Sequence, residues 1–118
     1  MVNLSIFKSY DIRGTYPADL DEKSAYKIGR AFVEYTKAKK VVVGRDMRLS
    51  SPVLFEGLVK GIIAQGVDVY NIGEVATECI YFTVGNYDYD AGIMVTASHN
   101  PKEYNGFKMI KRTAGKIK

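Results

Sequence analysis

Apolar residues recur along this chain in alternating helical and strand-like runs, most of them closed by glycine or opened by a hydroxyl or carboxylate cap. From Asp21 to Thr36, Ala25, Ile28, Phe32 and Tyr35 fall at helical spacing. Asp19 or Asp21 stands ready as N-cap, and the acids Asp21 and Glu22 suit a first turn, so the segment reads as an amphipathic helix. Val41-Val42-Val43 is short and β-branched, stops at Gly44, and reads as a strand buried on both faces. Ser50-Ser51-Pro52 restarts a helix, with a hydroxyl cap and proline at the first helical position, and Phe55, Leu58, Val59, Ile62 and Ile63 form its buried face. Gly66 ends that helix, and Val67 to Ile72 alternates as a second strand closed by Gly73. Thr77 caps a shorter helix from about Glu78 to Val84. Gly92 to Val95 makes a third strand and Gly106 to Ile110 a fourth, while Tyr10 to Pro17 reads as a turn-rich segment.

Helices that alternate with strands imply crossovers, and hence parallel pairing with helices covering the sheet. The last strand follows its predecessor too closely for a helical crossover, so it is expected to run antiparallel to its neighbour. The predicted fold is therefore α/β, three-layered (α/β/α), with a mixed, mostly parallel four-stranded sheet whose last strand is antiparallel. No repeat, low-complexity tract or linker divides the chain, so residues 1–118 are expected to form a single domain. A chain of 118 residues buries roughly two-thirds of the surface its unfolded form exposes, enough for a core without a staple.

The lone cysteine, Cys79, has apolar neighbours in Ile80, Tyr81 and Phe82 and is expected to be a buried thiol in a reducing compartment. The start does not resemble a signal peptide and every apolar run is short, which points to a cytoplasmic protein without a membrane span. The net charge of +4 comes mainly from two clusters, Lys37 to Arg48 and Lys102 to Lys118. Such clusters favour anionic ligands without choosing one.

Candidate chemistry concentrates in three polar segments: Tyr10 to Gly14, Gly44 to Arg48, and Thr96 to Pro101 with its extension to Lys108. If the strands are parallel, the second and third emerge on one sheet edge, where α/β proteins handle ligands. Ser98, beside the only histidine, His99, can be read in two ways. It can be part of a local serine or Asx turn, or it can carry a phosphoryl group. Phosphoserine bears about −1.5 to −2 charges and needs nearby cations, for which Arg13, Lys108, Arg45 and Arg48 are candidates. A hydrolytic triad fits poorly, because Thr96 and Asn100 stand where the nucleophile elbow has glycines. Phosphate-loop and dinucleotide fingerprints do not occur. Asp46 can simply pair with Arg45 or Arg48. Asp88-Tyr89-Asp90 has a metal-like spacing, but it lies in a turn.

Together, Tyr10-Asp11-Ile12-Arg13-Gly14, Gly44-Arg45-Asp46 with Arg48 and Ser50-Ser51, Thr96-Ala97-Ser98-His99-Asn100-Pro101 and Tyr104-Asn105-Gly106-Phe107-Lys108 resemble the first domain of the α-D-phosphohexomutases. The Thr-Ala-Ser-His-Asn-Pro form is most similar to the phosphomannomutase/phosphoglucomutase branch, whereas phosphoglucosamine mutases more often have Ser where Thr96 stands. The resemblance implies that Ser98 is the phosphoserine that exchanges its phosphoryl group with a hexose phosphate through a bisphosphate intermediate. It further implies Lys108 as general acid/base or charge stabiliser, Arg13 as a partner of the transferring phosphoryl group, Tyr10 close to the sugar, and His99 and Asn100 shaping the loop.

The same resemblance implies Mg²⁺ bound by a phosphoryl oxygen on Ser98 and an Asp-x-Asp-x-Asp loop of a second domain. That loop does not occur in this sequence, so the chain alone is not expected to hold the ion tightly. The expected partners are a hexose phosphate and the remaining mutase domains, with neither nucleic acid nor membrane. The chain is expected to be a truncated first domain of four, without turnover by itself and with surfaces that favour self-association. The alternatives are a phosphoglucosamine mutase domain, a non-catalytic folding unit, or a binding module that uses the basic clusters and tyrosines for nucleic acid.

Overall fold

The computed structural model describes residues 7–87, 89–97 and 100–112, with side chains from residue 10 onward. Five strands and three helices follow one another as β1 (Phe7–Thr15), α1 (Glu22–Thr36), β2 (Lys40–Arg45), α2 (Ser51–Ala64), β3 (Asp68–Glu74), α3 (Thr77–Asn86), β4 (Ala91–Val95) and β5 (Tyr104–Arg112). They build one sheet in the order β1-β5-β4-β2-β3. β2 pairs in parallel with β3 and β4, and β5 runs antiparallel to β4 and β1.

The α/β class, the mixed sheet and the antiparallel β5 are as the sequence predicts. The strand count is not: the sheet has five strands rather than four, and parallel and antiparallel pairings are equally common. The extra strand is β1, which includes most of the segment expected to be turn-rich. Its residues alternate, with Tyr10 and Ile12 packing toward one core and Asp11 and Arg13 on the other face. The pairing that makes it a strand comes from β5, nearly the whole chain away.

Two cores lie on opposite faces of the sheet. On one, α1 and α2 place Phe32, Leu54, Leu58 and Ile62 against Val41, Val43, Ile93, Val95 and Phe107. On the other, Ile80 and Val84 of α3 pack on Val42, Met94 and Ile110. Val41, Val42 and Val43 are fully buried, as a strand covered on both faces requires. The α1 N-terminus is a capping box: Asp21 accepts from the Ser24 N–H at 2.8 Å, and Ser24 Oγ accepts from the Asp21 N–H at 2.8 Å.

Five local expectations are corrected. Pro52 is the second residue of α2, and Ser50 makes no side-chain cap because its Oγ accepts instead from Asn105. Thr77 is the first residue of α3, with Ala76 in the cap position. Ile63 is 56% exposed, since the buried stripe of α2 runs through Leu54, Leu58 and Ile62 one turn-face away. Cys79 is exposed, because Ile80 and Val84 are the residues that α3 turns inward. Among the described residues, no helix is long and apolar enough to cross a membrane.

Candidate functional site

Because β2 and β4 are parallel, the chain leaves both at the same sheet edge, and a cleft of about 680 Å³ opens there. Asp46 and Arg48 follow β2, Thr77 and Glu78 begin α3, and Asn100 and Lys102 lie between β4 and β5; all of them line it, with Lys108 rising from the sheet. Three cationic side chains, Arg48, Lys102 and Lys108, face two acids, Asp46 and Glu78. The N-terminal end of the α3 dipole adds partial positive charge at the same wall.

On the α3 face of the sheet, Asp11 of β1 is the cross-strand partner of Lys108 on β5, which in turn pairs with Met94 on β4. The Arg13 guanidinium donates from Nε and Nη2 to the two Asp11 carboxylate oxygens, both at 3.1 Å, a fork-on-fork pairing. Its Nη1 donates to Asn100 Oδ1 at 2.7 Å, and Lys108 Nζ lies 3.7 Å from Asp11 Oδ2. Asp11 thus holds both cations, and Arg13 ties β1 to the segment that follows β4.

A second polar network joins the same segment to the start of α2. Arg48 donates to the main-chain carbonyls of Asn100 (2.8 Å), Pro101 (2.8 Å) and Tyr104 (3.1 Å). Asp46 accepts from Arg48 Nε at 3.3 Å, from the Arg48 N–H at 3.1 Å and from Ser51 Oγ at 2.6 Å. Asn105, wholly buried, donates to Ser50 Oγ and Ser51 Oγ at 2.8 and 3.0 Å and accepts from the Gly106 N–H. Buried polar groups of this kind persist because each has its partner.

Of the residues singled out from sequence, Arg13, Lys108 and Asn100 are brought together. Ser98 and His99 lie outside the described residues; Ala97, buried, and Asn100 flank them at the carboxyl end of β4. Tyr10 is not brought to the cleft. It lies on the α1 face, edge-on to Tyr35 with ring centroids 6.0 Å apart, and burial, reinforced by Tyr35, raises its phenol above the ordinary tyrosine value. Arg45 stacks over Phe55, 5.1 Å from the ring centroid, and leaves the pairing with Asp46 to Arg48. Asp90 accepts the main-chain N–H groups of Lys39 and Lys40, a structural use, and Asp88 lies outside the described residues. Asp11 as holder of both cations was not anticipated. The alternation Tyr10-Asp11-Ile12-Arg13, read as a strand, would have put it beside Arg13.

Among the described residues, no group of three or more His, Cys, Asp or Glu is arranged to hold a metal ion. Of the carboxylates nearby, Asp46 is committed to Arg48 and Ser51, and Asp11 to Arg13 and Lys108. This donor set does not by itself fit Mg²⁺, which takes carboxylate and other oxygens in octahedral array.

The sequence profile described as "Phosphoglucomutase/phosphomannomutase, alpha/beta/alpha domain I" matches residues 4–118. A phosphomannomutase of Salmonella montevideo is 50% identical over 117 residues, covering 99% of this chain and 26% of that protein. One from Klebsiella pneumoniae is 48% identical over 117 residues, with 99% and 74% covered. The chain thus spans about a quarter of the length of the Salmonella relative. A crystal structure of a phosphoglucomutase/phosphomannomutase family protein from Burkholderia thailandensis superposes with a TM-score of 0.79 at 46% identity, covering 95% of this chain and 27% of that one. A crystal structure from Thermus thermophilus superposes with a TM-score of 0.80 at 24% identity, covering 93% of this chain and 25% of that one, a likeness of fold.

Proposed function

The chain belongs to the phosphoglucomutase/phosphomannomutase family as its α/β/α domain I, and from that premise we propose that Ser98 carries the phosphoryl group a hexose-phosphate mutase passes to and from its sugar. The observation that supports this reading is the linked set Asn100, Arg13, Asp11 and Lys108 beside a cleft at the carboxyl ends of β2 and β4. Phosphoryl transfer asks little covalent work of a protein beyond positioning and neutralising charge, so held cations matter more than a strong base.

In the forward half-reaction the phosphorus–Oγ bond of phosphoserine breaks and a bond to a sugar hydroxyl oxygen forms. The hydroxyl proton ends on Ser98 Oγ, giving serine and a hexose bisphosphate. The second half-reaction returns the other phosphoryl group of the bisphosphate to Ser98. Lys108 supplies positive charge, and Arg13 steadies the group while anchored on Asp11 and Asn100. Mg²⁺, in this reading, belongs to an assembled enzyme whose further domains complete its ligands. Met47 and Leu49, 82% and 98% exposed at the β2–α2 connection, are apolar surface suited to such neighbours. The domain alone is inactive as a mutase.

The test is to incubate the protein from its full reading frame with glucose 1,6-bisphosphate and map the phosphorylated peptide. One phosphoryl group is expected on the peptide containing Ser98 and none in Ser98→Ala. Phosphate on another residue overturns the assignment.

A further inference from the structure

We propose that Arg48 is a positioning residue, the clasp that holds the segment following Ser98 in its transfer-ready curl; this rests on the reading of Ser98 given above. Residues 100 to 104 fully extended would spread their carbonyls over about 13 Å. Instead the carbonyls of Asn100, Pro101 and Tyr104 converge on one guanidinium at 2.8, 2.8 and 3.1 Å. Only a curled segment does that, and the guanidinium reaches these three carbonyls from Nη1 and Nη2 while its Nε donates to Asp46, four acceptors where an ammonium has three donors on one nitrogen.

The fork is itself oriented. Asp46 accepts from Arg48 Nε, and Ser51 Oγ fixes the Asp46 carboxylate from the first turn of α2. With its side chain 14% exposed, Arg48 sits largely out of competing water. Asn105 fastens the far end of the same segment to Ser50 and Ser51. The segment is therefore carried on α2, an element packed into the larger core, while Arg13 reaches it from β1. Through the carbonyls of Asn100, Pro101 and Tyr104, Arg48 acts on the reaction by way of the loop, oriented from Asp46. A misplacement of about 1 Å from such a change can cost about 100-fold in rate.

The experiment compares wild type, Arg48→Met, Arg48→Lys and Ser98→Ala in the full-length protein. Arg48→Met is expected to lower kcat about 100-fold with KM for the hexose phosphate unchanged, and to speed amide exchange at Asn100 and Tyr104 selectively. Arg48→Lys keeps the charge without the fork and is expected to restore only a small part of kcat; it serves alone if the methionine variant does not fold. A full rescue by lysine, a rise in KM at constant kcat, or lost loop protection with kcat intact overturns the proposal. Ser98→Ala is expected to keep wild-type protection at Asn100 and Tyr104. Absence of phosphate on Ser98 in wild type would sink the reading of Ser98, while the exchange data would still report whether Arg48 orders the loop.

Discussion

Asp11 and Tyr10 are neighbours in sequence and lie on opposite faces of β1, and that single alternation separates the partner of Lys108 from a ring packed against the larger core. The resemblance to a known family implied Tyr10 beside the sugar; in the structure its ring meets Tyr35 on the α1 side. Asp11, a member of the Tyr10–Gly14 motif with no role of its own assigned from sequence, gathers Arg13 and Lys108. Two other aspartates act on stability. Asp19 accepts the Thr15 N–H at 2.9 Å and the Thr15 hydroxyl at 3.1 Å, and Asp21 caps α1. The Thr15 amide and the Ser24 amide hold these carboxyls below the ordinary carboxylate value. Between the folded and ordinary values the unfolded chain binds more protons, so stability rises with pH across that window. The contribution is present above the ordinary carboxylate value and is lost as pH falls through the folded value. Asp21→Asn keeps a good cap but does not titrate. It should leave the neutral-pH melting temperature close to wild type and flatten the acid limb; thermal melts by circular dichroism from neutral pH downward check this, and superimposable acid limbs refute it.

Among elements, the helices were legible because a buried stripe at helical spacing is a local pattern. β1 was not, because its charged residues and Gly14 look like a turn until β5 supplies hydrogen bonds to Phe7 through Thr15. Edge strands are defined by their partner more than by their own residues. The closeness of α1 and α2 was equally hidden. A Cβ on Gly57 would run into the Glu22 carbonyl oxygen, and one on Gly61 into that of Tyr26. Gly61→Ala gains about 1 kcal/mol of helix propensity, yet it must push two helix backbones apart. A net loss of about 2 kcal/mol is expected, within the range for overpacked cores. Urea denaturation of the chain measures it, and an unchanged or raised midpoint contradicts the close approach.

For the molecule as a whole, the decisive fact is proportion: the chain covers 26% of the Salmonella relative and 27% of the Burkholderia structure. A cleft lined by Lys102 and Lys108, with Asp46 committed to Arg48 and Ser51, offers a phosphoryl group its cations, and among the described residues no group of three or more His, Cys, Asp or Glu forms a metal cage. The 118 residues by themselves are therefore expected to give no conversion of glucose 1-phosphate to glucose 6-phosphate in a coupled dehydrogenase assay, even with bisphosphate and Mg²⁺ present. Turnover at the rate of the full-length protein would show that the proposed need for further domains is wrong.

From sequence alone came the α/β class, the antiparallel last strand, the doubly buried valines of β2 and the motif set that marks the family. These rest on local periodicity and on short runs of residue types, which survive without three-dimensional information. Tertiary structure alone decided that Tyr10 and Arg13 part company, that Asp11 binds two cations and that Arg48 gathers three carbonyls from beyond fifty residues away in sequence. Each of those depends on strand register and on the meeting of loops from different crossovers. Register turns side chains to one face or the other with every residue of shift, and no local pattern carries the identity of the distant strand that sets it.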